Sequence, residues 1–270
     1  MSFTPYTEGT FFDLDEATYR AAPGVNISAL KDAHTPAHYR AARDAAQPDG
    51  PTPAQIFGRA CHAFALEGRT AFVTRPDGLS FTTKEGKAWR DAQSLPILTL
   101  SEAESIESMR VSLDNHPIAR SVLRSGGQVE VSCFKRDAAT GLLLKGRADY
   151  LTADINGLTT IVDLKTCGFG DASENAFARE VAKWSYHRQA AFYLDLFGAT
   201  FFLFIAVEKE RPYAVNCFHL DAESVTQGRA ENARALASIA QAEADGAWPA
   251  YPETLHTLTL PKWAKDRNQL

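Results

Sequence analysis

Three consecutive runs of alternating polarity, separated by turn signals, constrain the fold of this chain more than any other feature. The runs cover residues 128–136, 142–151 and 158–166, with a polar stretch at 137–141 and Asn156-Gly157 between them. Alternation with a period of two is typical of β-strands, and Asn-Gly is a strong hairpin signal. The sequence therefore predicts a three-stranded antiparallel meander.

Two carboxylates and a lysine fall on the last two of these runs. Asp149 ends the segment Gly146-Arg147-Ala148-Asp149, and the next run contains Asp163-Leu164-Lys165. Residues i and i+2 of a strand share a face, so Asp163 and Lys165 point the same way. A hairpin that reverses symmetrically at Asn156 sets Asp149 opposite Asp163, whereas a two-residue Asn-Gly turn would shift this register.

This pattern is typical of a metal-dependent phosphodiesterase. Like charges directly opposite each other destabilise a sheet, because their Cβ atoms are only about 4.5 to 5.5 Å apart. A bound divalent cation would remove that penalty. The ammonium of Lys165 beside it suits a phosphate that gains negative charge during hydrolysis. The alternative is an edge strand on which the Asp-x-Lys pair is simply exposed to solvent and has no catalytic role.

Composition indicates an ordinary globular protein. The chain has 270 residues, of which 45% are hydrophobic and 23% charged. We expect one domain over residues 1–270, with a mainly helical part at 1–125, a catalytic sheet with helices at 126–246, and a C-terminal segment at 247–270. The first 20 residues show no leader pattern, and no apolar run reaches the roughly 18 residues of a membrane span. These features predict a cytoplasmic protein without a membrane partner.

The cysteine spacing and the net charge argue against three kinds of site, which are a zinc site, a disulfide framework and a broad basic surface for nucleic acid. The four cysteines are Cys61, Cys133, Cys167 and Cys217, and they form no C-x-x-C pair. Buried free thiols are therefore favoured over a zinc site or a disulfide framework. The net charge of -5 argues against a surface coated with basic residues for nucleic acid. A local basic groove remains open beside the alternative of solvated helix faces, and its candidates are Lys31, His34, His38, Arg40, Arg43, Arg59, Lys262, Lys265 and Arg267.

Helix signals flank the predicted strands on both sides. Short helices are predicted after Asn26 and Thr35, and Thr52 followed by Pro53 and Gln55 is a strong start signal. Another helix is predicted from Ser101 to about His116. A helical segment at 172–196, strands at 200–207 and 213–220, and a helix at 221–244 complete an α/β pattern.

Several helical and strand positions could add to the site. Gly58 and His62 share a helix face, as do Gln189 and Tyr193, because each pair is four residues apart. Glu130 would oppose Asp149 if the first turn of the meander centres near Ala139-Thr140. Considered alone, the helical residues are better explained as ordinary surface or hydrogen-bonded side chains.

Taken in chain order, these elements resemble the PD-(D/E)xK superfamily of nucleases, in the branch of the RecB nuclease domain and exodeoxyribonuclease VIII. The ordered set is Gly58-x-x-x-His62, Glu130, Gly146-x-x-Asp149, Asp163-x-Lys165 and Gln189-x-x-x-Tyr193. An opening segment, at residues 27–30 and 36–39, and a closing segment, at residues 248–252 and 260–263, are similar to those of the exodeoxyribonuclease VIII type. The resemblance covers about residues 24–265.

The resemblance implies a fold, a metal and a set of roles. The fold would be a mixed central sheet flanked by helices, a restriction-endonuclease-like core with a helical N-terminal elaboration. Asp149 and Asp163 would bind Mg²⁺, with Mn²⁺ as a possible substitute, and His62 and the Leu164 carbonyl would complete the metal site. Lys165 would activate water and stabilise charge, Gln189 and Tyr193 would orient the site, and Glu130 is a further candidate. No iron-sulfur cluster is expected, because the required cysteine set is absent.

The resemblance also implies a substrate and partners. We expect a DNA exonuclease that acts on linear duplex ends, forms a homo-oligomer and works with a single-strand annealing protein. Two alternatives stay open at this point. One is a related endonuclease or single-strand nuclease, and the other is a non-catalytic DNA-binding module of the same fold.

Overall fold

A mixed β-sheet lies at the centre of the computed structural model, which describes residues 7–45, 50–155 and 157–260. The strands are β1 (Gly9–Phe11), β2 (Val73–Thr74), β3 (Ile97–Leu98), β4 (Gln128–Arg136), β5 (Leu143–Ile155), β6 (Leu158–Cys167), β7 (Phe201–Glu208) and β8 (Val215–Phe218). Six of them form the main sheet in the order β1-β4-β5-β6-β7-β8. Only the β6–β7 pair of this described sheet is parallel, while β2 and β3 form a small separate sheet.

Helices cover both faces of this sheet. They are α1 (Glu16–Ala21), α2 (Ile27–Asp32), α3 (Pro36–Asp44), α4 (Pro53–Leu66), α5 (Lys84–Asp91), α6 (Leu100–Asn115), α7 (Pro117–Leu123), α8 (Glu174–Lys183), α9 (Tyr186–Phe197) and α10 (Ala222–Asp245). The expected mixed sheet flanked by helices is therefore confirmed. The part at 1–125 also contributes a strand to the main sheet, since β1 pairs with β4 at the sheet edge. A three-residue strand is too short to show alternation in the sequence.

The register of the meander agrees with the symmetric turns. Val129 lies opposite Tyr150 and Val131 opposite Ala148, so Glu130 and Asp149 face each other between these pairs. On the other side, Tyr150 lies opposite Val162. Asp149 and Asp163 are thus one residue beyond the last paired position on each strand. Asn156 itself lies outside the described residues.

Element boundaries depart from the sequence prediction at α6, at the break between α8 and α9, and at β8. Thr99, not Ser101, caps α6, because Thr99 accepts the Glu102 N–H and Glu102 reaches back to the Thr99 N–H. The helical segment at 172–196 is two helices, since Ser185 adopts a left-handed conformation with φ 53°. The last strand begins at Val215 rather than Tyr213, which has φ 59°.

Two apolar layers enclose the central strands. On one face, Ile106 and Met109 of α6 pack with Val162 and Leu164 of β6. On the other face, Phe177 of α8 and helix α9 pack on β5 and β7. Residues 202–208 of β7 are buried without interruption, as expected for a parallel strand covered on both faces. Each large side chain buried in this way contributes about 1.5 to 3 kcal/mol.

The opening and closing segments contact each other. The Ala37 N–H donates to the Pro249 carbonyl at 3.1 Å, and the rings of Tyr39 and Trp248 stack with centroids 6.3 Å apart. The part of the closing segment beyond residue 260 lies outside the described residues.

Over the described residues, none of the helices combines the length and apolarity needed to cross a membrane. The four cysteines are unpaired thiols.

Two cations on β5 hold the N-terminal segment. Lys145 donates from Nζ to the main-chain carbonyls of Tyr19, Arg20 and Ala22, at 3.2, 3.2 and 2.5 Å. Arg147, two residues along the same strand, donates to the Leu14 carbonyl. These contacts attach α1 and the loop before it to the strand that carries Asp149.

Candidate active site

His62, Glu130 and Asp149 converge beside the meander, and we call them the His62 cluster. They come from α4, β4 and β5, and one ligand atom of each lies within 4.8 Å of the others. His62 Nδ1 is 3.6 Å from Asp149 Oδ2, and its Nε2 is 2.7 Å from the Leu164 carbonyl oxygen. The Leu164 N–H donates to Asp149 Oδ2 at 3.0 Å. The main chain of β6 thus contacts two members of the cluster.

Glu130 takes an unusual backbone conformation to join this cluster. Its φ is 52°, although it lies inside β4, and a left-handed residue of this kind costs on the order of 1 to 3 kcal/mol. Arg147 stabilises the conformation. Its Nε lies 3.1 Å from the Glu130 carbonyl oxygen and 3.1 Å from Glu130 Oε2.

The ionised forms of the two carboxylates in the His62 cluster are disfavoured by burial and by nearby negative charge. Burial raises the pKa of Asp149, and the nearby Asp163 raises it further, while His62 opposes the shift. Burial also raises the pKa of Glu130, with Asp149 adding to the effect. A divalent cation would stabilise the ionised forms. Two carboxylates and an imidazole, with the Leu164 carbonyl adjacent, form a donor set that fits Mg²⁺ or Mn²⁺.

Asp163, Lys165 and Gln189 form a second group, which we call the Lys165 cluster. Lys165 Nζ is 2.7 Å from Asp163 Oδ2, as expected for residues i and i+2 on one strand face. Gln189 Nε2 donates to Asp163 Oδ1 at 2.5 Å, and Lys165 donates to Gln189 Oε1 at 3.4 Å. Asp163 is only 6% exposed and β6 is a central strand. The alternative that Asp163 and Lys165 are solvent-exposed side chains on an edge strand is therefore excluded.

Lys165 keeps its proton in this setting. Burial alone would lower the pKa of Lys165, but Asp163, Tyr186 and Asp149 together raise it above its ordinary value. Its Nζ also lies 4.6 Å from the centroid of the Tyr186 ring. The cluster therefore holds a fixed ammonium group.

Tyr193 and Gly146 position the strand that carries Asp149. The Tyr193 hydroxyl donates to the Arg147 carbonyl at 2.9 Å, and burial raises the pKa of Tyr193 well above its usual range. It does not join the Lys165 cluster. A Cβ on Gly146 would lie 2.6 Å from Leu196 Cδ2, so the glycine lets α9 approach β5. A Cβ on Gly58 would meet no atom within 4 Å, which leaves open space one turn before His62.

The candidates for a basic groove are dispersed. Arg40 and Arg43 form ion pairs with Asp44 and pack over Trp248. Arg59 lies 3.8 Å from Glu16. Lys262, Lys265 and Arg267 lie outside the described residues.

Sequence reasoning missed two contacts to the site. Arg147 belongs to the Gly-x-x-Asp segment, yet its bond to Glu130 has no local signal. Tyr186 begins α9, and the break before it was hidden inside a continuous helical pattern.

The sheet order, the covering helices and the paired clusters define a PD-(D/E)xK-like domain with a restriction-endonuclease-like core. Residues 26–260 match the family described as a PDDEXK-like domain of unknown function, DUF3799, and the chain belongs to that family. No curated protein sequence matches the chain.

One solved structure shares this architecture. A protein from Eubacterium rectale, whose exonuclease assignment is itself provisional, is 16% identical, with 94% of this chain and 97% of that chain covered and a TM-score of 0.62. This likeness shows the fold. A phage related exonuclease from Haemophilus somnus is 12% identical, with 83% and 97% covered, but its TM-score of 0.39 is too low to bear on the fold.

Proposed function

We propose that this protein is a metal-dependent DNA exonuclease that hydrolyses phosphodiester bonds. The observation that carries the proposal is the placement of a fixed ammonium, Lys165, beside two carboxylates and an imidazole whose ligand atoms lie within 4.8 Å of one another. A phosphodiester needs both kinds of group, since its hydrolysis requires an activated water and stabilisation of charge at phosphorus.

His62, Glu130 and Asp149 would hold the Mg²⁺ or Mn²⁺ ion, with Asp163 and the Leu164 carbonyl completing the site. When bound, the ion supplies an acidified water and neutralises charge on the phosphate. Glu130 is held ready for this role by Arg147. The Leu164 N–H fixes Asp149 so that one of its oxygens stays directed at the cluster.

The remaining side chains act on the substrate and on each other. Lys165 would direct its ammonium at the scissile phosphate and position the attacking water. Gln189 contacts both Asp163 and Lys165, so its amide orients the pair. Tyr193 positions Asp149 through the main chain of Arg147, two residues earlier on β5.

Substrate choice is part of the proposal. The resemblance to exodeoxyribonuclease VIII supports action on linear duplex ends, and the name of the Eubacterium rectale protein supports an exonuclease. A chain of net charge -5 cannot hold DNA by diffuse attraction, so a homo-oligomer that encloses the strand would keep it bound. A single-strand annealing protein would use the product, and the site would work in the cytoplasm.

The alternatives are a related endonuclease or single-strand nuclease, and a non-catalytic DNA-binding module. The presence of Asp149, Asp163 and Lys165 together speaks against the module, because binding alone does not need all three.

The decisive experiment is digestion of linear and closed circular duplex DNA of the same sequence with Mg²⁺, with light scattering on the same sample. We expect degradation of the linear form, intact circles and an oligomer. In Ca²⁺ we expect binding without cleavage, since its looser coordination holds ligands less strictly. A monomer that cuts circles as fast as linear DNA would favour the endonuclease, and no hydrolysis of any DNA would favour the module.

A further inference from the structure

The junction between α8 and α9 presents an exposed aromatic ring close to the Lys165 cluster. α8 ends at Lys183, and Ser185 in its left-handed conformation turns the chain before Tyr186 starts α9. Serine rarely adopts the left-handed conformation, because it is higher in free energy than the extended or helical ones. It persists where the surrounding contacts hold the backbone in place. The turn leaves Trp184 50% exposed while Tyr186 packs inward against Phe204.

Tyr186 connects two lysines from distant parts of the chain. Lys165 Nζ lies 4.6 Å from the ring centroid, and Lys31 Nζ of α2 lies 5.6 Å from it. Lys31 also donates to the Trp184 carbonyl at 2.8 Å. The Tyr186 ring thus lies between the two ammonium groups, and Lys31 holds the main chain of Trp184. The indole itself donates from Nε1 to Glu180 Oε2 at 2.5 Å, and Lys183 Nζ lies 4.7 Å from its ring centroid.

Lys31 has spare capacity for an anion. Its ammonium forms no ion pair with any residue that the structure describes, and its hydrogen bond to Trp184 goes to a neutral carbonyl. Burial lowers the pKa of Lys31, and the positive charge of Lys165 lowers it further. An anion between or beside the two ammonium groups would offset that repulsion. A phosphate of the substrate strand is the anion that this site would meet.

We propose that Lys31 and Trp184 form a nucleotide platform, in which Lys31 binds a backbone phosphate next to the scissile one and Trp184 stacks on an unpaired base. The inference rests on the proposed function for the identity of the ligand. Aromatic side chains stack on bases of any sequence, but the base must be free of its duplex partner. The platform therefore selects a frayed or single-stranded end over an intact blunt end.

The test is DNA binding without hydrolysis, measured by fluorescence anisotropy in EDTA with labelled single-stranded and blunt duplex oligonucleotides. Trp184→Ala should weaken binding of the single strand roughly tenfold, as expected for loss of one stacking contact, and change the blunt duplex little. Trp184→Phe should restore most of the affinity. Lys31→Ala should weaken binding and reduce the salt dependence by about one phosphate contact.

Matched controls are available on other surfaces. Lys135 also donates from Nζ to a main-chain carbonyl, that of Asp195, at 3.0 Å, and Tyr251 is 68% exposed beside His38. Lys135→Ala and Tyr251→Ala should bind as wild type does. Equal affinity of Trp184→Ala and wild type for the single strand would overturn the platform, even if wild type cleaves DNA. A wild type that binds through Trp184 but cleaves nothing with Mg²⁺ would overturn the proposed function and leave the platform standing.

Discussion

The His62 cluster and the Lys165 cluster lie side by side and solve the problem of buried charge in opposite ways. In the Lys165 cluster, Asp163 has an ammonium 2.7 Å away and an amide on its other oxygen. In the His62 cluster, burial raises the pKa of both Glu130 and Asp149, even though Arg147 lies 3.1 Å from Glu130 Oε2. The first is electrostatically complete within the chain, whereas in the proposed function a cation from outside would complete the second.

The largest expected effect comes from breaking the complete cluster. Lys165→Ala or Asp163→Asn should reduce hydrolysis of linear DNA by about 10² to 10³-fold or more, because the fixed charge at the phosphate or its partner is lost. Nuclease rates and thermal melting should be measured on the same preparations. Lys135→Ala serves as the control, and wild-type rates in either cluster variant would refute the assignment of these residues.

A second prediction concerns the cation. Mg²⁺ at about 100 times its dissociation constant should stabilise wild type by about 2.7 kcal/mol. Asp149→Ala should lose most of this gain, and Asp163→Asn should keep part of it, since Asp163 already has Lys165. Calorimetric titration and melting with and without Mg²⁺ would measure both. Unchanged Mg²⁺ affinity in Asp149→Ala would place the metal site elsewhere.

The two clusters should also differ in stability without metal. At neutral pH in EDTA, Asp149→Asn should raise the free energy of unfolding by on the order of 1 kcal/mol, because it removes a charge that burial disfavours. Asn keeps an oxygen for the Leu164 N–H. Asp163→Asn should lower stability, because Lys165 then loses its partner.

The pH dependence of this difference has a definite sign. The folded protein holds the Asp149 proton more tightly than the unfolded chain, so wild-type stability falls as pH rises from the unfolded pKa of about 3.9 through the raised folded pKa. The advantage of Asp149→Asn should therefore vanish below about pH 3.9. An advantage that grows on acidification would contradict the raised pKa.

The smallest expected effect is at Gly58, beside the His62 cluster. Gly58→Ala should stabilise α4 by about 0.5 to 1 kcal/mol, because alanine is the better helix former and its Cβ meets open space. DNA binding should stay unchanged if the strand passes over Trp184 on the other side of the site. Weaker DNA binding by a stabilised variant would place the strand along α4 instead.

The strands of the meander, their register and the Asp163–Lys165 pair could be predicted from local patterns in the sequence. Alternation and turn signals located the meander, and the symmetric turns placed Glu130 and Asp163 on either side of Asp149. The i, i+2 rule paired Asp163 with Lys165. These relations depend only on residues close in sequence or joined by short turns.

What the sequence missed depends on how distant elements pack. The contact of Gln189 with Asp163 follows from the seating of α9 on the sheet, and that of Lys31 with Trp184 from the packing of α2 near the α8–α9 junction. The left-handed conformation of Ser185 could not be predicted, because this position lacks the glycine that usually signals a positive φ. The role of Tyr193 was predicted as orientation, but its contact with the main chain of Arg147 could not be read from helical spacing.

The attachment of α1 to β5 has a consequence for shortened versions of the protein. The family match begins at residue 26, whereas the carbonyls that accept from Lys145 and Arg147 belong to residues 14–22. Removing everything before the match would leave two cations on β5 without these acceptors. Arg147 would then have only Glu130 to bind, and its full charge would draw that carboxylate away from a metal. A trimmed protein would thus keep every residue of the site and still be expected to hold its cation less well.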